Sequence, residues 1–288
     1  MASSTYPLST PRRRNWKTEL YTNLSRVILI LVCAFTLLPL LWVFLSAFSN
    51  SPSLYSATLI PKTLTLDHFK DLFVDTEFAL WLKNSAIVCL GGSTLAMFLT
   101  VSMAYAFSRF KFWGRKNGLI VLILIQMLPT TVTIVAIYRM LDLLNLIDNL
   151  FGLILIYAGT TIPFNAWLMR GYFDSIPHEM EEAAYVDGAN RFQAFIQIAL
   201  PMCLPMAVVV FIFNLIAFYN DYILASIILS GTDHYTIALG LRFFDQQYAA
   251  NWSMFAAASL LGCLPIMIIF YSLQKYLVQG LTKGAIKG

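Results

Sequence analysis

The sequence predicts an all-α polytopic membrane protein with six transmembrane helices and a folded cytoplasmic loop after the fourth. Three observations point there. The chain is 59% hydrophobic and only 12% charged, with a mean hydropathy of +0.71, too apolar for a water-facing surface. A hydrocarbon core about 30 Å thick needs ~20 apolar helical residues, and segments 27–48, 85–107, 118–138, 150–169, 205–228 and 252–271 meet that need. Lysine and arginine alternate between poor and rich loops along the chain, as the positive-inside rule requires.

The first segment carries no charge and follows "PRRRNWKTELYTNLSR". That start invites a signal-peptide reading, but the apolar run is too long and no A-x-A-like cleavage site follows, so it reads as a retained anchor. The second contains Gly91, Gly92 and Ser93, small residues that suit close helix packing. The third places Gln126, Thr130 and Thr131 around Pro129. Proline frees a backbone carbonyl that threonine hydroxyls can re-satisfy; the same polar groups are also candidates for contact with a solute.

In the fifth segment, Phe211, Asn214, Phe218 and Asp221 share one helical face. Counting from Pro205 at about 1.5 Å per residue, Asn214 lies roughly 14 Å in and Asp221 roughly 24 Å in. Asn214 is then near mid-membrane and Asp221 near the outer boundary. Rings alternating with hydrogen-bonding groups suit a sugar, whose C–H faces pack on aromatics while its hydroxyls need polar partners. An interhelical hydrogen bond for Asn214 and an interfacial place for Asp221 are the other readings.

With the N-terminus inside, fourteen of the 19 lysines and arginines fall on the cytoplasmic side, leaving Lys62, Lys70, Lys83, Arg139 and Arg242 outside. The expected organisation is a cytoplasmic tail over 1–26, a permeating domain over 27–273, and a cytoplasmic tail over 274–288.

The segment over about 171–201 is then cytoplasmic and unusually polar. In "DSIPHEMEEAAYVDGA", Asp174 and Ser175 can cap a helix, and Pro177 suits its first turn. Glu179, Glu181 and Glu182 favour its positive end. Ala183 and Ala184 are helix formers of little bulk, and Gly188 after Asp187 can end the helix in a left-handed conformation. The following "NRFQAFIQIAL" sets Phe192, Phe195, Ile196 and Ala199 on one face before Pro201 stops it. A small-residue face with acidic flanks suits docking into a groove on another protein. A loop lying on lipid is the other reading, though such helices carry lysine and arginine on their polar face.

Other chemistry lacks its residues. Cys33, Cys89, Cys203 and Cys263 are spread over separate apolar runs and read as small buried hydrophobes. His68, His178 and His234 show no zinc-type spacing. There is no G-x-x-x-x-G-K-[ST] loop to hold a nucleotide, no nucleophile elbow, and no basic face for nucleic acid. A secondary transporter would show ion-coupling carboxylates or two related halves. An intramembrane enzyme would show a nucleophile and base at membrane depth.

Glu182-Ala183-Ala184, three residues, Gly188, nine residues, Ile198, one residue and Leu200-Pro201 resemble the EAA motif of ABC-importer permeases. "LTLDHFKDLFVDTEFALWLKNSAIV", "PFNAWLMRGYFDSIPHEMEEAA" and the tail "LVQGLTKGAIKG" are similar to carbohydrate-importer permeases, in particular the smaller permease subunit of maltose/maltodextrin importers. The resemblance implies a non-catalytic subunit forming half of a sugar path in a bacterial-type cytoplasmic membrane. It implies a second permease subunit, an ATPase dimer that itself binds ATP and Mg, an extracytoplasmic sugar-binding protein and an oligosaccharide as partners, with no cofactor on this chain. Glu181, Glu182, Ala183, Ala184, Asp187, Gly188, Ile198, Leu200 and Pro201 would couple to the ATPase. Maltodextrin is the substrate implied, with raffinose, trehalose and galacto-oligosaccharide importers sharing similar motifs.

Overall fold

A computed structural model describes residues 16–50, 61, 63–247 and 252–285. Helices follow one another along the chain: α1 (Trp16–Ala47), α2 (Asp67–Val74), α3 (Phe78–Arg109), α4 (Gly118–Gln126), α5 (Thr130–Leu143) and α6 (Leu150–Asp174). Then come α7 (Glu179–Val186), α8 (Arg191–Ala194), a π-helical turn (Phe195–Ala199), α9 (Leu200–Asn220) and α10 (Ile223–Ile228). A short 3-10 turn (Thr232–His234), α11 (Ile237–Gln247) and α12 (Trp252–Ala285) complete the order. Among the described residues the regular structure is all helical, apart from one isolated bridge between Ser49 and Leu64.

α3 is the axis of the bundle. It packs along α6 and α9, and α11 lies against it. Its glycines make this approach close: a Cβ on Gly91 would sit 3.1 Å from Ile154 Cδ1, and one on Gly92 3.3 Å from the Phe218 ring. Between helices in lipid, where apolar burial gives little drive, such backbone proximity is what gains dispersion contact. One apolar core surrounds Trp81, Tyr157 and Phe218 toward the Phe78 end of α3. A second surrounds Tyr105, Phe173 and Met206 toward its Arg109 end. α1 stands at the edge, packed on α12, with most of its apolar side chains exposed in the isolated chain.

Among the described residues, five helices are long and apolar enough to cross a membrane. The expected third span departs from this pattern. It is divided into α4 and α5, because Pro129 has no N–H to donate and excludes the helical conformation from the residue before it. The fifth span also differs: α9 begins earlier and ends at Asn220, so 205–228 is two helices meeting at Asp221. Two of the four cysteines depart from expectation as well. Cys89 and Cys203 are buried, whereas Cys33 and Cys263 are exposed on α1 and α12.

The Phe78 end of α3 is tied to the segment after α10. The Trp81 indole donates to Thr232 O at 2.7 Å, Asn84 donates to Asp233 O at 2.8 Å and Tyr235 O at 3.0 Å, and Ile237 N donates to Ser85 Oγ at 2.7 Å. Asp148 holds the same segment from the other side. Its Oδ1 accepts from Ser230 N at 2.8 Å and Gly231 N at 3.0 Å, and its Oδ2 lies 3.1 Å from His234 Nδ1. Burial pushes this carboxyl up, but the two backbone donors and His234 outweigh it, so Asp148 is held below its ordinary value.

A depressed folded-state pKa stabilises above the unfolded carboxylate value of about 3.9 and stops doing so as pH falls through the lower folded value. Asp148→Ala should therefore lower thermal stability at neutral pH by about 1–2 kcal/mol, the range for partly exposed hydrogen bonds to a charged group. Asp148→Asn should lose less. In calorimetry of the purified protein, the gap between wild type and Asp148→Ala should close only below the ordinary aspartate range.

Candidate functional site

The polar segment expected to be a docking element is a helix and a turn set against the Arg109 end of α3. Its helix starts later than the capping pattern suggests. α6 runs on through Asp174, and His178 occupies the N-cap of α7 without a side-chain cap. Asp174 instead accepts from Ser108 Oγ at 2.6 Å and pairs with Arg170 at 3.4 Å. The other end matches the sequence pattern. Gly188 has φ +89°, Ala189 N donates to Ala184 O at 2.9 Å, and Gly188 N donates to Tyr185 O at 3.1 Å. That pair of bonds is the Schellman closure, and its left-handed residue favours glycine.

A capping box then starts the next helix, with Asn190 accepting from Gln193 N and Gln193 accepting from Asn190 N. Pro201 does not stop that helix. The chain continues from α8 through the π-helical turn into α9, in one helical run over Arg191–Asn220. The Pro201 ring would crowd the carbonyl of Gln197, and Gln197 lies inside the wide turn, which gives it room. The same turn splits the expected apolar face. Phe195 and Ala199 turn inward, while Phe192 and Ile196 are exposed. Ile198 is half-buried, as is Leu200.

The exposed side of α7 carries Glu182, Ala183, Tyr185 and Val186, with Ala184 half-buried and Asp187 exposed; Val186 is 88% exposed. Glu181 faces the opposite way. Its side chain is 4% exposed and Arg109's is 6%, with Nε to Oε1 at 2.7 Å. Its other oxygen accepts from Tyr105 at 2.7 Å. Arg109 also donates to Ile176 O at 3.0 Å and to Ser108 Oγ at 3.0 Å. Tyr105 and Arg109 were not singled out from sequence: Tyr105 is one aromatic among many, and Arg109 had counted only toward topology.

At membrane depth, a groove of about 480 Å³ lies where α4, α5 and α6 meet the α9–α10 junction. Its polar lining is Gln126, Thr133, Thr160, Thr161 and Asp221, set between aliphatic side chains such as Leu128 and Leu224. Thr160 and Thr161 donate to the carbonyls of Ile156 and Tyr157, so their lone pairs remain to accept. Asp221 Oδ1 accepts from Tyr157 at 2.9 Å and from Leu224 N at 3.0 Å, capping α10. Of the four residues expected on one face of the fifth span, Asp221 reaches this groove. Phe218 is buried and stacked on Tyr157 at 4.7 Å, and Phe211 is half-buried against the same core. Asn214, 4% exposed, accepts from Asn165 at 2.9 Å between α9 and α6, the interhelical arrangement. The side chains of Thr130 and Thr131 lie outside the described residues.

Gln126 does more than line the groove. Its amide donates to Thr160 O at 2.8 Å and accepts from Phe164 N at 3.2 Å. Those two groups are the i and i+4 partners flanking Pro163, where α6 lacks a donor. The last residue of α4 therefore braces the proline turn of α6.

A family model described as "Binding-protein-dependent transport system inner membrane component" matches residues 92–283. The chain is 39% identical to the galactooligosaccharides transport system permease protein GanQ of Bacillus subtilis (strain 168), over 92% of this chain and 95% of the relative. It is 40% identical to the maltodextrin transport system permease protein MdxG of the same organism, over 78% and 81% of the two chains. In structure it is similar to a chain of a bacterial ABC transporter involved in the import of the acidic polysaccharide alginate. The TM-score is 0.79 at 22% identity, covering 93% of this chain and 99% of the other, a likeness of fold.

Gln126→Leu should release Phe164 N and Thr160 O. Hydrogen exchange at Phe164 should quicken, and stability should fall by about 0.5–1.5 kcal/mol, the net range for an ordinary hydrogen bond. Unchanged protection at Phe164 would show that the brace is idle.

Proposed function

The chain belongs to the family of binding-protein-dependent transport system inner membrane components, and from that premise we propose how it serves a sugar importer. It is a multi-pass, non-catalytic permease subunit of an ABC sugar importer. The proposal is that α7 docks in a groove of a separate ATPase, which alone binds ATP and Mg. The observation that carries it is the outward face of α7, where Ala183 and Glu182 are exposed and the helix is closed by Gly188. Small side chains permit close approach, Glu182 offers a charge to a basic group in the groove, and the Gly188 turn fixes the angle to α8. ATP closing the ATPase pair would then shift the spans between inward- and outward-facing states. On this reading α7 and both termini are cytoplasmic, and a second permease subunit supplies the other half of the path. An extracytoplasmic binding protein, as the family's description implies, delivers the sugar.

The cargo proposed is a neutral oligosaccharide of the maltodextrin type. Relatives named for maltodextrin and for galactooligosaccharides support that class. The groove supports it too: hydroxyls, an amide and the Asp221 carboxylate line it, and among the described residues no lysine or arginine does. An acidic sugar would meet a like charge there without a cation to offset it. Asn214 and Phe218 serve that path from behind, by holding α9 against α6. In proteoliposomes with the matching binding protein, maltodextrins should be transported in preference to galacto-oligosaccharides, and alginate oligomers should not be transported. Transport of alginate at a comparable rate would overturn the neutral-sugar reading.

Ala184→Arg should block seating by bulk. At Gly188 an added Cβ would meet no atom within 4 Å, so Gly188→Val acts through backbone strain alone, on the order of 1–2 kcal/mol. Both variants should insert normally yet lose ATPase association or coupled transport roughly ten-fold, while Gly188→Asn, which tolerates the left-handed region, should retain most of it. Wild-type coupling in both Ala184→Arg and Gly188→Val would reduce α7 to a surface loop.

A further inference from the structure

We propose that the buried Arg109–Glu181 pair is a strut that makes α7 and α3 one rigid lever, carrying motion from the docking helix to the segment at the far end of α3. The inference rests on the reading that α7 docks on an ATPase, and concerns residues that cannot themselves touch it. Glu181 has both carboxylate oxygens occupied from within, by Arg109 at 2.7 Å and Tyr105 at 2.7 Å. With that side chain only 4% exposed, the carboxylate is closed to a partner protein.

The placement of the pair argues for a mechanical role. A buried ion pair adds little net stability, since desolvation offsets most of the attraction; what it contributes is a defined geometry. Here the geometry joins three pieces of chain. Arg109 is the last residue of α3, and its guanidinium grips α7 through Glu181 and the preceding linker through Ile176 O. Tyr105, one turn earlier on α3, adds the second bond to Glu181 and packs its ring on Phe195 of the π-helical turn at 4.5 Å and on Phe173 of α6 at 5.6 Å. Arg115 closes the end of α3 by donating to Phe107 O at 3.0 Å and Ser108 O at 2.6 Å, so that end has little freedom to fray.

The opposite end of α3 is equally well held. Trp81, Asn84 and Ser85 bind the backbone of residues 232–237. α3 has 32 residues and is about 48 Å long at 1.5 Å per residue. It carries no proline, unlike α1, α6, α9 and α12. Among the described residues it is thus the long apolar helix without a proline, fastened at one end to α7 and at the other to the segment between α10 and α11. Arg109, Glu181 and Tyr105 are positioning residues in this scheme.

The distance is measured on the full chain without its ATPase, with native Cys33 and Cys263 replaced by serine and spin labels at Val186→Cys on α7 and Phe98→Cys on α3, both exposed. ATPase association and the ATP hydrolysed per sugar are measured on unlabelled variants in the assembled complex, since a label at Val186 would sit on the docking face. In the wild-type chain the interspin distance should be narrow. Arg109→Met and Glu181→Gln should broaden it and raise the ATP hydrolysed per sugar transported several-fold, with ATPase association retained. The double variant Arg109→Met/Glu181→Met buries no lone charge and should assemble with the ATPase, yet its distance should stay broad and its ratio high. A narrow distance and a near-normal ratio there would overturn the strut, because packing alone would then join α7 to α3. A narrow distance in the single variants, an unchanged ratio despite broadening, or loss of ATPase association in them would each overturn the strut. The docking reading is judged separately: if Ala184→Arg still associates and couples, that reading falls, while the distance measured on the chain alone still reports the strut.

Discussion

Backbone hydrogen bonding without water is the constraint on which this structure depends. In hydrocarbon an unpaired N–H or C=O has no solvent to turn to, so each interruption of a helix needs a protein group to attend to it. Pro163 interrupts α6, and the Gln126 amide reaches the carbonyl before it and the N–H after it. The chain breaks at Asp221, and that side chain caps α10 while accepting from Tyr157. Pro201 falls where a π-helical turn has already widened the ladder. These attended breaks cluster around the groove and the docking segment, so the departures from regular helix coincide with the places where a transporter has to bend.

Packing divides the molecule in a complementary way. Near Gly91 and Gly92, α3 meets α6 and α9 so closely that a Cβ would press on Ile154 and Phe218. Near Tyr105, aromatic rings from α3, α6 and the π-helical turn meet a buried ion pair. Such contacts have discrete arrangements and transmit displacement instead of absorbing it.

Much of this was legible in the sequence, for identifiable reasons. Long apolar runs report helices because a membrane leaves the backbone no other choice. Gly188 was legible because a left-handed helix end has few alternatives to glycine. What was missed follows equally physical lines. Pro129 and Asp221 lie inside apolar runs that hydropathy reads as continuous, so one span was drawn where the chain makes two helices. The amphipathic face of 190–200 assumed a period of 3.6, and a π-helical turn shifts that register. Asn165 is hidden because its partner, Asn214, lies 49 residues away on another helix. Sequence spacing carries no signal of such a pair beyond two amides at membrane depth. Arg109 was read as a topology marker, since the positive-inside rule accounts for a cation there without calling for a partner.

The adjacent glutamates of α7 show how one short helix can serve two surfaces. Successive residues on a helix point about 100° apart, so a helix that presents Glu182 and Ala183 outward must turn Glu181 toward its own protein. A carboxylate turned inward at that depth has to be compensated, and Arg109 with Tyr105 does so. The outward face cannot then be displaced without pulling on the inward one. An apolar residue at 181 would also bury well, but it could slide against the end of α3, whereas a charge-assisted bond of 2.7 Å to a guanidinium fixed by two further contacts defines both distance and direction. On the proposed docking, the acidic pair would separate recognition from transmission: one carboxylate would meet the partner, and its neighbour would pass to α3 whatever the partner does to α7.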